Sequence, residues 1–257
     1  MSFTVEYLEY MLVMLVRISM IVAVVPVFGN MNVPRNVKFA ISVFLTIITL
    51  NMYGVHTLEY QGVLGFGLLV AKEAITGLLI GMGTQFCMYI LTFAGNMLDM
   101  EIGFAMAMEM DPVSQVQTTI SSTLLSAIYT LTFLVTDMHY YVIKTLIRSY
   151  ELIPIGGAHI TGSIYKIYGQ YMLDYFLIGF RLILPIFACT LLTNVVLGIL
   201  AKVAPQMNMF VIGMQMKIFV GLFLFYVMMG SLTGLSEFLF SEMRDLTDQF
   251  ITFMSGG

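Results

Sequence analysis

The sequence predicts an all-α fold of the integral-membrane type, and three observations carry that prediction. Of 257 residues, 59% are hydrophobic and 10% are charged, whereas about 25% are charged in an ordinary soluble domain. The mean hydropathy is +0.93. Apolar runs near the bilayer-crossing length of about 20 residues recur between the charges, too long for strands and without sustained alternation. The 11 basic and 15 acidic side chains cannot cover a free-standing soluble enzyme of this size. Disorder is excluded by the hydrophobicity. The net charge is −4, and no Lys/Arg block resembles a nucleic-acid patch, so no nucleic-acid partner is expected.

Gaps between charges mark the expected spans in order. They are residues 18–34, 39–58, 74–98, 112–136, 182–201 and 218–236. A shorter, more mixed helix over 138–150 is expected after a turn at Asp137. The segment Met1 to Tyr10 carries Glu6 and Glu9 and no basic residue, so it does not read as a cleaved signal peptide. The first apolar run is therefore expected to stay. Arg35 and Lys38 in the first loop place that loop in the cytoplasm by the positive-inside rule.

Prolines punctuate these runs. Pro34, Pro112, Pro154 and Pro205 lie in or beside polar segments and fit loops or helix starts. Pro26 and Pro185 lie within apolar runs and should kink or break a helix there. Gly77 with Gly81, and Gly230 with Gly234, have the spacing that lets helix backbones approach closely, within the chain or between subunits. From Leu239 onward, Met243, Leu246, Phe250 and Phe253 recur at helical spacing, with Glu242, Arg244, Asp245, Asp248 and Gln249 on other faces. This amphipathic end (241–257) is set apart from the main body (1–240). Its acidic polar face suits a protein partner better than an anionic membrane.

Ionisable residues inside apolar helices are costly and call for a role. The candidates are Arg17, Lys72, Glu73 and Arg181. Lys72 and Glu73 are adjacent, so they point about 100° apart on a helix. Glu73 suits a cation on another helix, either Arg17 or Arg181. Catalytic patterns are missing: His56, His139 and His159 are isolated, and neither a nucleophile elbow nor a P-loop occurs. Cys87 and Cys189 lack metal or disulfide spacing, and no metal or cofactor is expected. Asp99 with Glu101, and Glu109 with Asp111, suit a solvated loop face or a cation site. The most unusual stretch is Asp99 to Pro112, where Met100, Met106, Met108 and Met110 crowd together. Methionine is flexible and polarizable, and suits either adaptable core packing or a deformable seal.

At this point the residues match a family. Arg17, Pro26, Pro34 and Lys38 are followed by Glu73, Gly77, Gly81, Gly95, Gly103, Phe104, Asp111 and Pro112. His139, Ser149 and Pro154 come next, with Met138 where the family often has glycine. Asn194 to Gly198, then Ala204, Pro205, Gln206, Asn208, Phe210 and Gly213, complete the series. In this order and spacing the sequence resembles the FliR/SctT family of type III export-gate proteins.

The resemblance implies a non-enzymatic gate subunit. It would assemble with FliP-like and FliQ-like subunits, with an FlhB-like partner around them, in the bacterial inner membrane at the flagellar basal body. It implies tilted, kinked helical hairpins in a hetero-oligomer, much of it above the bilayer plane. A loop at about Gly103 to Val116 would plug the pore crossed by unfolded export substrates, with Gly103, Phe104, Met106, Met108, Met110, Asp111 and Pro112 forming the seal. A separate ATPase and the proton-motive force would power transit. Structural or subunit-contact roles would fall to Arg17, Pro34, Glu73, Gly77, Gly81, Asn194, Gly198, Pro205, Gln206 and Asn208. The segment Pro205 to Gly213 looks more like the flagellar form than the injectisome form. A self-contained small-solute or ion transporter is the alternative class, suited by helices broken at Pro26 and Pro185.

Overall fold

A computed structural model describes residues 5–29, 33–58, 60–103, 119–159, 164–206, 208–230 and 232–256. The described residues form helices and no strands. In order these are α1 (Val5–Val24), α2 (Arg35–Tyr53), α3 (Gly62–Ile102), α4 (Ile120–Val135), α5 (Met138–Leu152), α6 (Ile164–Val203), α7 (Met209–Met229) and α8 (Leu232–Met254). Among them α1, α2, α3, α6 and residues 211–228 of α7 are long and apolar enough to cross a membrane. The pair α4 and α5, bent by 72°, would make a sixth span.

The chain divides into two compact units. The first holds residues 1–87, 133–171 and 240–257; the second holds 88–132 and 172–239. In the first unit α1 packs on α2 and α3. A Cβ on Gly77 would stand 2.4 Å from the Arg17 carbonyl oxygen, and one on Gly81 would stand 3.0 Å from Val24 Cβ. This glycine pair therefore serves close packing within the chain. Gly230 and Gly234 do not share a helix, because α7 ends before one and α8 contains the other. The spacing alone did not reveal that break.

Charges also mark the span ends poorly. The first span is α1 rather than residues 18–34, and Arg17 lies inside it, fully buried. Lys72 and Glu73 lie inside α3, which begins at Gly62. Of the expected span 112–136, Ile120–Val135 form α4 and residues 112–118 lie outside the described residues, while 182–201 is the later half of the longer α6. The region 218–236 is divided between α7 and α8. A charge closes a span only where water must receive it, and a partnered charge need not lie there.

The prolines behave in two ways. Pro26 follows the end of α1 in a buried turn. Its neighbours are satisfied locally, with Phe28 N donating to Pro26 O at 2.9 Å and Gly29 N to Val25 O at 2.7 Å. Lys38 Nζ donates to Gly29 O at 2.8 Å and ties that turn to α2. By contrast α6 continues through Pro185. One lost hydrogen bond costs less than unwinding an apolar helix whose freed polar groups would find no water.

From Phe240 onward the apolar face of α8 is covered within the first unit, not left for a partner. Phe240, Met243, Leu246 and Phe250 are buried. The Phe250 ring centroid lies 6.4 Å from that of Tyr171, and the Phe240 centroid 6.1 Å from that of Phe133. In the second unit Leu98, Ile102 and Ile186 form a small core, joined by Ile218, Phe225 and Met228.

Candidate functional site

The first cluster begins with Arg17 in the middle of α1. Glu73 comes from α3, whose backbone lies against α1 because Gly77 has no side chain. Arg17 Nε donates to Glu73 Oε2 at 2.6 Å, and the second terminal nitrogen donates to Oε1 at 3.0 Å. Both side chains are fully buried. The remaining guanidinium nitrogen donates to Ser149 O at 3.2 Å and Ile153 O at 2.9 Å. These carbonyls belong to the C-terminal end of α5, where the dipole is negative; Ser149 O also accepts from Ile153 N at 3.0 Å.

The Tyr150 ring lies 4.3 Å from the guanidinium carbon, and its hydroxyl donates to Met14 O at 3.0 Å. Gly156 N donates to Glu73 Oε1 at 2.9 Å. The network thus joins α1, α3, the end of α5 and the turn after it. Its hydrogen-bonding capacity is largely used internally, which suits anchoring rather than proton transfer. Breaking such a pair on one side costs about 3–5 kcal/mol, because an uncompensated charge stays buried.

The second cluster fixes the end of α3 to the start of α4. Ser121 N donates to Asp99 Oδ2 at 2.9 Å, and Ser121 Oγ donates to Asp99 Oδ1. The carboxylate thereby caps the positive end of α4. Thr119 N donates to Ser122 Oγ at 3.1 Å, while Ser122 N donates to Thr119 Oγ1 at 3.3 Å. Thr119 Oγ1 donates in turn to Asn96 Oδ1 at 3.0 Å. A Cβ on Gly95 would stand 2.3 Å from Ser122 Cα, so only glycine permits this approach. Gly103 ends α3 with φ +94°, and its N–H donates to Asp99 O at 3.1 Å. Asp99 is buried, so it belongs to no solvated face.

The structure unites Arg17, Glu73, Gly77 and Gly81 in one place. Pro34 precedes α2, and its carbonyl accepts from Val37 N and Lys38 N. Asn194 and Gly198 are exposed on α6, and Pro205, Gln206 and Asn208 are exposed between α6 and α7. Arg181 is exposed and is not the partner of Glu73. Phe104, Met106, Met108, Met110, Asp111 and Pro112 lie outside the described residues, as do Glu109 and Val116. Sequence reasoning missed the contributions of Tyr150, Gly156 and Ser121. A Thr-x-x-Ser spacing at 119–122 was the available signal for the α4 cap. Outside the spans, the hydrogen bond from Tyr60 to Glu9 Oε2 (2.8 Å) raises the phenol above its ordinary pKa. No three metal-ligating side chains gather among the described residues.

Long apolar helices joined by saturated polar clusters define a helical membrane protein built around fixed anchors. The chain belongs to the bacterial export proteins, family 1, which matches residues 8–243. It is 28% identical to the flagellar biosynthetic protein FliR of Pectobacterium carotovorum subsp. carotovorum, over 93% of this chain and 92% of the relative. It is 25% identical to that of Escherichia coli (strain K12), over 93% of this chain and 91% of the relative. For that of Bacillus subtilis (strain 168), identity is 26% over 96% of this chain and 97% of the relative.

Proposed function

We propose that this chain is a non-enzymatic subunit of the flagellar type III protein export gate. In this reading it sits in the inner membrane at the flagellar basal body with FliP-like, FliQ-like and FlhB-like partners. Unfolded flagellar proteins pass through the channel that it helps to form. The observation that carries the reading is the match along nearly the whole chain to proteins named for flagellar biosynthesis.

The segment from Gly103 to Val116 acts as the seal. Gly103, Phe104, Met106, Met108 and Met110 close the pore, and Asp111 with Pro112 ends the closure. Two features support this assignment. Three methionines, Met106, Met108 and Met110, crowd this stretch, and methionine adapts to irregular surfaces. The neighbouring backbone is also well held, by Asp99 on one side and Thr119 to Ser122 on the other. Asn194, Gly198, Pro205, Gln206 and Asn208 are exposed and serve as subunit contacts. Arg17, Glu73, Gly77 and Gly81 hold α1 against α3 within the first unit.

Deleting residues 106–110 tests the seal in the assembled complex. Small-ion leakage across the membrane should rise while the complex still forms, and filament export should change. Unchanged leakage in a fully assembled complex would remove the seal assignment.

A further inference from the structure

The hairpin of α6 and α7 carries an unbalanced charge. Residues 175–236 contain no Asp or Glu, yet they hold Arg181, Lys202 and Lys217. Lys217 makes no hydrogen bond or ion pair among the described residues. The carboxylates of Asp99 and Glu101 in the same unit are turned to Ser121 and Thr190.

Register within the hairpin gives the level of each cation. A Cβ on Gly213 would stand 3.2 Å from Leu197 Cδ1, so those two residues face each other across the pair. The helices run in opposite directions, so Lys217, one turn beyond Gly213, is level with about residue 193. At 1.5 Å per residue, Arg181 and Lys202 are separated by about 32 Å, near the thickness of a bilayer core. Lys217 then sits about 13 Å inward from Lys202, close to mid-depth. The amide of Asn194 is exposed at the same level.

Arg181 and Lys202 can reach lipid headgroups by snorkelling, but Lys217 is too deep for that. If the hairpin stands outside lipid, its exposed Phe219, Phe223 and Tyr226 need cover from protein instead. In lipid a cation at that depth needs a polar partner, outside lipid the aromatic face beside it needs protein cover, and in both cases the charge specifies what a neighbour would offer. We propose that Lys217 is a docking cation that receives an Asp or Glu carboxylate from an apolar helix of a neighbouring membrane subunit. This rests on the assembly part of the proposed function and does not need the seal.

The test uses cells that make the whole apparatus. Benzoylphenylalanine placed at position 217 should cross-link, on irradiation, to a second membrane polypeptide at a helical segment containing Asp or Glu. Lys217→Glu should lower co-purification of that polypeptide at least tenfold, and replacing its carboxylate with lysine should restore it. Lys217→Met, which keeps the shape and removes the charge, should lower co-purification about threefold or more. The purified Lys217→Met chain should melt in detergent like the unaltered chain, separating docking from folding. An adduct to lipid alone, or to this chain alone, would overturn the proposal. So would full co-purification of both variants. If Lys217→Glu breaks assembly while deletion of 106–110 leaves leakage unchanged, docking stands and the seal falls.

Discussion

The two units of this chain handle their interiors differently. In the first, a buried arginine and glutamate are closed by backbone groups and an aromatic ring, and α1 buries Val13, Met14, Ile18 and Ile21. In the second, α7 leaves Phe219, Leu222, Phe223, Tyr226 and Val227 exposed, Phe219 by 70%. The first unit closes its buried ion pair within itself. The second retains a small core and leaves an apolar surface for something else to cover. Low overall charge has two meanings here: helices packed against each other, and helices awaiting a neighbour.

The largest effect should come from breaking the lock of the first unit. Glu73→Ala leaves Arg17 buried without its partner and should cost about 3–5 kcal/mol, measured as thermal unfolding of the purified chain in detergent. Replacing both residues by apolar ones of similar size should recover much of that loss. Next, Gly77→Leu drives a side chain into the α1 backbone and should cost about 1–3 kcal/mol in the same assay. A smaller loss, about 1–2 kcal/mol, is expected for Asp99→Ala, which removes the α4 cap in the second unit. The smallest effect on stability belongs to Phe219→Ser, within about 0.5 kcal/mol for the isolated chain. Its effect should instead appear as reduced recovery of the assembled complex. If Phe219→Ser melted the isolated chain as severely as Glu73→Ala, the contrast between the units would fail.

The helical fold and the buried charges were legible in the sequence, but the division into these two units was not. Hydropathy alone predicts helices of membrane-spanning length. Arg17 and Glu73 stand out as ionisable groups in apolar surroundings. Choosing Arg17 over Arg181 as the partner required the approach of α1 to α3 at Gly77, a tertiary fact 56 residues apart in the chain. Pro26 and Pro185 have equivalent apolar settings, yet one follows a helix and the other lies within one. The difference depends on whether nearby backbone groups can be satisfied after a break, as they are at Phe28 and Gly29. The amphipathic face of α8 was clear from spacing. Its occupant was not, because periodicity reveals that a face is buried without naming what buries it.

The Arg17 network also carries a consequence for biogenesis. Arg17 is made early, but its acceptors Ser149 O and Ile153 O lie 132 and 136 residues later. At roughly 5–20 residues per second, the ribosome needs about 7–27 s to supply them after Arg17. During that interval the first helix carries a cation with an incomplete set of partners. Until α5 is finished, the guanidinium N–H groups that will meet Ser149 O and Ile153 O need water or another polar acceptor. Final closure of this lock is a timed event set by the order of synthesis.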